Sequence, residues 1–188
     1  EQIETMYRKD QLTVMAHHLA TRLLRMLADQ MQLRLSPAEA NGRSVLVLCG
    51  PDEPNELAGQ MAADLRDARG YDVAFAGGGV ANDEVIAEIG KRDPETLILY
   101  SSAPSDLPHI RQLIDELHDL GVCPQLQIVV GGGVFNRADG LAEEIGADLW
   151  ASSPAELVQA VESHPDQRMD ADQRTVGRRR RQGKTAAA

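Results

Sequence analysis

Ser44-Val45-Leu46-Val47-Leu48-Cys49-Gly50-Pro51-Asp52-Glu53-Pro54-Asn55-Glu56-Leu57 is the stretch whose reading decides the fold. The run Ser44–Cys49 is short, apolar and without polar alternation, so it predicts a strand covered on both faces rather than one with a wet side. Gly50 and Pro51 stop it, and a helix-period segment follows at once, over roughly Pro54–Arg69. The same unit then repeats down the chain. Apolar runs at Tyr71–Ala76, Thr96–Tyr100, Gln127–Val130 and Asp148–Ala151 alternate with helical patterns at Asn82–Lys91, Pro108–Leu120, Asn136–Ile145 and Pro154–Glu162. Ser153, Pro154 and Glu156 give the last helix a capping box. Five strands alternating with five helices predict an α/β, flavodoxin-like domain: a doubly wound parallel sheet with strand order 2-1-3-4-5, over residues 43–164.

Upstream, residues 1–36 read as an amphipathic N-terminal helix. From about residue 8 to 35 there is no Gly or Pro, and Leu12, Leu19, Met26 and Leu33 recur every seven positions, widened by Met15, Leu23, Leu24, Leu27 and Met31. Ser36-Pro37 ends the helix. So broad an apolar face is expected to pack on the domain, on a second copy of the chain or on a partner, and self-association is the reading carried forward. Downstream, residues 165–188 lose all apolar periodicity and read as an extended basic tail.

The net charge of −10 conceals a split. Residues 1–172 hold 13 bases against 29 acids, a balance of −16, whereas Arg174, Arg178, Arg179, Arg180, Arg181 and Lys184 sit in the last sixteen residues without an acid. The body repels phosphate; only the tail, with Arg178–Arg181 and Lys184, could attract nucleic acid or an acidic partner. At 3% aromatic content the chain has no stacking platform for single-stranded nucleic acid. Two cysteines, Cys49 and Cys123, show no disulfide or zinc spacing, which suits a reducing, cytoplasmic setting. No apolar run is long enough to span a bilayer, and the first residues do not form a signal peptide. The chain starts without Met, as a processed or partial chain would.

In an open parallel sheet, ligands bind beyond the carboxyl ends of the strands, where strand order reverses. The unusual residues collect in those loops: Gly77-Gly78-Gly79 after the second strand, Ser101-Ser102 after the third, and Gly131-Gly132-Gly133 after the fourth. Missing Cβ atoms there allow close backbone approach by a flat or bulky ligand, although glycines also simply make turns. Catalytic apparatus is not legible. There is no Walker loop, no G-x-G-x-x-G after the first strand and no nucleophile elbow, and a phosphoacceptor receiver would need Asp where Tyr100-Ser101 stands. The chain is therefore expected not to be an enzyme. His109 and His118 are too far apart on their helix to share an ion, and Cys123-Pro124 lies at the opposite sheet edge.

Glu53-Pro54-Asn55-Glu56-Leu57-Ala58 after the first strand, Ser101-Ser102-Ala103 after the third, Gly131-Gly132-Gly133 after the fourth and the strand–helix pair around Asp148–Glu162 follow one another at one family's spacing. Over roughly residues 44–162 the chain resembles the cobalamin (B12)-binding domain family, whose signature is Asp-x-His-x-x-Gly, Ser-x-Leu and Gly-Gly. The family's Asp falls on Glu53, its cobalt-ligating His on Asn55 and its Gly on Ala58. Ser101 and Gly131-Gly132 match the positions along which the nucleotide tail of cobalamin runs, and Ala103 departs from Leu. An asparagine amide is a poor transition-metal ligand, so the resemblance implies a crevice without a lower His. It implies as cofactor-binding candidates Glu53, Asn55, Ala58, Gly78, Ser101, Ser102, Gly131, Gly132 and Gly133. Helical segments supply axial ligands in tetrapyrrole sensors of this family, which makes His17 and His18 candidates, although paired histidines flanking an apolar face are more usually surface residues.

The function expected is a sensor or regulatory domain that binds a corrinoid, cobalamin itself or another tetrapyrrole, without a lower His. The alternatives are a ligand-free protein–protein interaction module with no cofactor, and a corrinoid carrier for methyl transfer.

Overall fold

A computed structural model describes residues 2–51 and 56–169. The N-terminal segment forms two helices, α1 (Gln2–Arg8) and α2 (Val14–Gln32), where the sequence pattern predicts one. The break has a local cause. Asp10 takes a left-handed conformation at φ 55°, and the Thr13 hydroxyl accepts from the Ala16 amide at 3.2 Å, starting a fresh helix. Then follow β1 (Ser44–Cys49), α3 (Leu57–Asp67), β2 (Asp72–Gly77), α4 (Asn82–Arg92), β3 (Thr96–Tyr100), a 3-10 turn at Pro104–Asp106, α5 (Leu107–Leu120), β4 (Gln127–Gly131), α6 (Leu141–Ile145), β5 (Leu149–Ala151) and α7 (Pro154–Ser163). The fourth helical pattern, expected from Asn136, begins only at Leu141. A 3-10 turn at Phe135–Arg137 and the left-handed Gly140, φ 77°, take up the preceding residues.

All strand pairs are parallel, and the sheet order is β2-β1-β3-β4-β5, as the alternating pattern requires. The three central strands β1, β3 and β4 bury both faces, whereas the edge strands β2 and β5 stay partly exposed. Leu46, Leu48, Leu97, Leu99, Ile128 and Val130 meet α4, α5 and α6, while Val45, Val47, Ile98, Tyr100 and Val129 meet α3 and α7. Ser153 caps α7 by accepting from the Glu156 amide, and Glu156 reaches back to the Ser152 amide rather than to the cap itself.

Under α3 lies a charged side chain inside the core. Arg66 is fully buried, its guanidinium 3.6 Å from the centre of the Tyr71 ring, with Glu162 of α7 4.0 Å away. The ring face supplies the negative partner that a desolvated cation needs. At the far edge of the sheet, Asp148 accepts from the Ile128 and Met169 amides at 2.7 and 2.6 Å, and Gln127 donates to the His164 carbonyl at 2.8 Å. Residues 164–169 are thereby fastened to the domain at the amino ends of the strands. Arg178, Arg179, Arg180, Arg181 and Lys184 lie outside the described residues.

The domain covers only one flank of α2. Arg25 pairs with Glu56 at 3.2 Å and Gln60 donates to Asp29, but Met15, Leu19, Leu23, Met26, Leu27, Met31 and Leu33 stay exposed. The seven-residue stripe is thus not buried against the chain's own sheet domain. No helix among the described residues is long and apolar enough to cross a membrane. Helix α1 is tied to α2 by a buried imidazole: His17 meets the Glu4 carboxylate at 3.0 Å and stacks on Tyr7 at 4.3 Å between ring centres. Glu4 also accepts from Arg8 at 2.9 Å.

Two outcomes follow. Tyr71→Leu strands the Arg66 charge and should lower stability by about 2 kcal/mol or more in urea unfolding, and adding Arg66→Met should recover a large part of that loss; strictly additive effects would show that the pair is not coupled. Burial raises the Glu4 pKa, but the hydrogen bonds from Arg8 and His17 outweigh it and hold the carboxyl below its ordinary value. A depressed folded pKa means stabilisation present at neutral pH and lost as pH falls through that value. The protection of residues 2–8 against hydrogen exchange, taken relative to the intrinsic rate at each pH, should therefore fall below the usual glutamate range, and Glu4→Gln should show the low protection already at neutral pH.

Candidate functional site

The site is built where β1 and β3 diverge into loops on opposite sides of the sheet. At the end of β3 the side chains alternate, as in any strand. Tyr100 points to the α3–α7 face, Ser101 to the other. Ser101 is buried, and its hydroxyl donates to the Asp106 carboxylate at 2.6 Å. Asp106 is itself fully buried at the start of α5, and a Cβ on Gly50 would overlap its carboxylate. Gly50 also donates its amide to the Tyr100 carbonyl at 2.7 Å. The ends of β1 and β3 are thus locked together, and Gly50 is glycine because a carboxylate occupies its side-chain space.

On the other face opens a cavity of about 440 Å³, bounded by α1 and α2 above, α3 and the start of α7 at the sides, and the loops after β3 and β4 beneath. Ala58, Ser102, Gly132, Gly133 and His17 line it; Ser101, Gly78 and Gly131 do not. Of the paired serines, then, it is Ser102 that reaches this space. Gly132 sits at φ 106° with the Ser101 carbonyl where its Cβ would be, so the turn over β4 is closed to any larger residue. Gly131 makes room within the protein: a Cβ there would lie 2.8 Å from Cε1 of Tyr100.

Tyr100 is 3% exposed, lines the cavity, and its hydroxyl has no hydrogen-bond partner. Burial, with a smaller contribution from Cys49, pushes its pKa up, so it stays a neutral donor. At the rim, Arg137 donates to the Ser102 carbonyl at 2.7 Å, and Arg8 comes to the same place from α1. Burial and then the neighbouring Arg8 pull the Arg137 pKa below its ordinary value. His17 is buried with Glu4 fixing its ring, whereas His18 is exposed.

The two glycine triplets, which share one edge in the sequence reading, serve different hollows. Gly79 lines a second one of about 460 Å³ between α4 and α5, with Asp83, His109 and Glu116 at its wall. Gly78 donates its amide to Glu56 at 2.7 Å and faces neither space. Glu53 and Asn55 lie outside the described residues. Tyr100, Glu4, Arg8 and Arg137 carry no sequence motif. The one signal at Tyr100 is an aromatic residue at a strand end, next to paired serines, in a chain with so few rings. Among the described residues no group of three or more His, Cys, Asp or Glu is arranged to hold a metal ion.

Comparison with known proteins bears on the family and the fold. Monomethylamine corrinoid proteins 1 and 2 of Methanosarcina mazei are each 28% identical to the chain over 109 residues, covering 57% of it and 49% of theirs. The chain therefore spans about half the length of these curated relatives. Among solved structures, the monomethylamine corrinoid protein of Methanosarcina barkeri superposes with a TM-score of 0.77 at 16% identity, covering 85% of this chain and 76% of that one. A cobalamin-binding protein from Desulfitobacterium hafniense DCB-2 gives 0.59 at 16% identity, covering 86% and 75%. At such identities the superpositions show a shared fold. Residues 43–161, well over half of the chain, match the B12 binding domain, and the protein belongs to that family.

Proposed function

We propose that this chain holds a corrinoid between helices α1–α2 and the glycine-rich edge of the sheet, in the manner of a carrier that presents the cofactor to a methyltransferase. The observation that carries the reading is the cavity itself. It lies over Gly132, Gly133 and Ser102, opens toward a helical layer, and holds at its base a tyrosine hydroxyl with no partner. These are the features of a surface that receives a polar ligand rather than of a packed loop. Kinship with corrinoid proteins of monomethylamine metabolism supports a carrier over the sensor or regulatory role expected from the sequence.

The residues that fit the cofactor are those beside the cavity. Ser102, Gly132 and Gly133 would line one side of it, Ala58 and Leu57 the base of α3, and His17 supplies an imidazole whose orientation Glu4 fixes. When bound, a corrinoid supplies a cobalt centre able to bear a methyl group. The chain's own contribution would be to hold and cover that centre: α1 and α2 form the roof of the cavity, and Leu24 and Met61 add apolar wall to it. With Asn55 at the family's His position, that loop offers no imidazole.

The test is co-elution. The full chain mixed with hydroxocobalamin and passed through a desalting column should emerge coloured, near one corrinoid per chain. A colourless protein fraction at micromolar concentration would favour the interaction-module alternative, in which the scaffold survives without cofactor.

A further inference from the structure

Helix α2 carries a second surface that the cavity does not use. Met15, Leu19, Leu23, Leu27 and Met31 follow one another at intervals of four residues, so they form one continuous ridge along the helix. All five stay exposed among the described residues, Met15 at 81%. The ridge reads the same in both directions about Leu23: Leu19 and Leu27 flank it, and Met15 and Met31 close the ends. Met26 and Leu33 widen the face. The ridge itself is uncharged, and Arg25 and Asp29 are engaged on the flank toward α3, with Glu56 and Gln60. Leu24, which lines the cavity, is not part of it. Together these exposed side chains leave on the order of 800 Å² bare, more than the largest apolar patch of an ordinary monomer and about what each partner gives to a stable dimer.

We infer that this ridge is the interface with a second copy of the chain, the two ridges running in opposite directions about a twofold axis at Leu23. A twofold interface is isologous: where residue i of one copy meets j of the other, j also meets i. The order Met-Leu-Leu-Leu-Met satisfies that rule with like against like. Leu23 faces its twin, Leu19 lies beside the partner's Leu27, and Met15 beside the partner's Met31. Ridges of four-residue spacing interdigitate when two helices cross at about −50°, the commonest class of helix packing. A net charge of −10 on each copy gives no attraction between them, so the association rests on apolar burial, and the twofold closes the set at two. Such a dimer forms whether or not a corrinoid occupies the cavity.

The full chain is sedimented in the ultracentrifuge at micromolar concentration, in about 0.05 M and about 0.5 M salt. It should run as a dimer in both, since screening removes only the repulsion between two acidic copies. Leu23→Glu sets two carboxylates against each other on the axis and should weaken the dimer at least about tenfold, while the far-ultraviolet circular dichroism stays that of the parent. Leu23→Cys, mildly oxidised, should link to its twin, and Met15→Cys should link far less, because its twin stands at the other end of the ridge. The parent, with Cys49 buried and Cys123 half-buried, sets the background. If Leu23→Glu fails to fold, the two cysteine variants decide alone. A monomer or a larger assembly overturns the inference, as does a dimer that Leu23→Glu leaves intact or in which both cysteine variants link equally. A dimer that high salt dissolves overturns it too, and points to the arginine-rich segment of one copy on the acidic body of the other.

Discussion

The buried carboxylate of Asp106 is the constraint on which the candidate site depends. It accepts the Ser101 hydroxyl at 2.6 Å from one side and fills the side-chain space of Gly50 from the other. A fully buried carboxylate is costly unless its oxygens are engaged, so the chain is committed to this arrangement once the sheet forms. The consequence is orientational. With Ser101 fixed toward α5, strand alternation sends Tyr100 and Ser102 to the other face, where the cavity opens. A slip of one residue in this loop would exchange the two faces and remove the phenol from the site.

Stability and site share elements but draw on different groups. The two apolar layers against the sheet are mostly aliphatic side chains that carry no chemistry, Tyr100 being the member that also lines the cavity, and the buried pair Arg66–Tyr71 sits at the amino end of β2, away from the cavity. The roof is less deeply built. Helix α1 has no buried residue and is tied to α2 by the Glu4–His17–Tyr7 contact, so the part of the protein that covers the cavity contributes no side chain to the buried core. The exposed stripe on α2 lies on the side of that cover that faces away from the domain.

Two glycine triplets look equivalent when read along the chain and are not so in space. A glycine in a βα loop is compatible with a turn, with close ligand approach, or with making room for a neighbouring side chain, and the residue type is the same in each case. Gly132 closes a tight turn at φ 106°, Gly131 accommodates the Tyr100 ring, and Gly133 lies beneath two guanidinium groups. Only the coordinates of the neighbours separate these causes.

The sequence by itself determined the sheet. Continuous apolar runs can be satisfied only when covered on both faces, and their alternation with helical segments leaves a parallel, doubly wound order as the ready solution. It also determined the family resemblance, because motif spacing along a chain is a sequence property, and it identified Ala58, Ser102, Gly132, Gly133 and His17 as candidates that the fold brings to one cavity. The helix break at Asp10 was less legible, since the seven-residue stripe runs through it, and the cap at Thr13 is a local hydrogen bond that competes with that pattern. Which of two adjacent serines faces the cavity, which glycine serves a neighbour, and the meeting of Glu4, Arg8, Tyr100 and Arg137 were decided by tertiary structure alone. Those residues come from α1, β3 and the loop after β4, far apart in sequence, and only the closure of the sheet and the docking of α1 bring their charges and the buried phenol around one space.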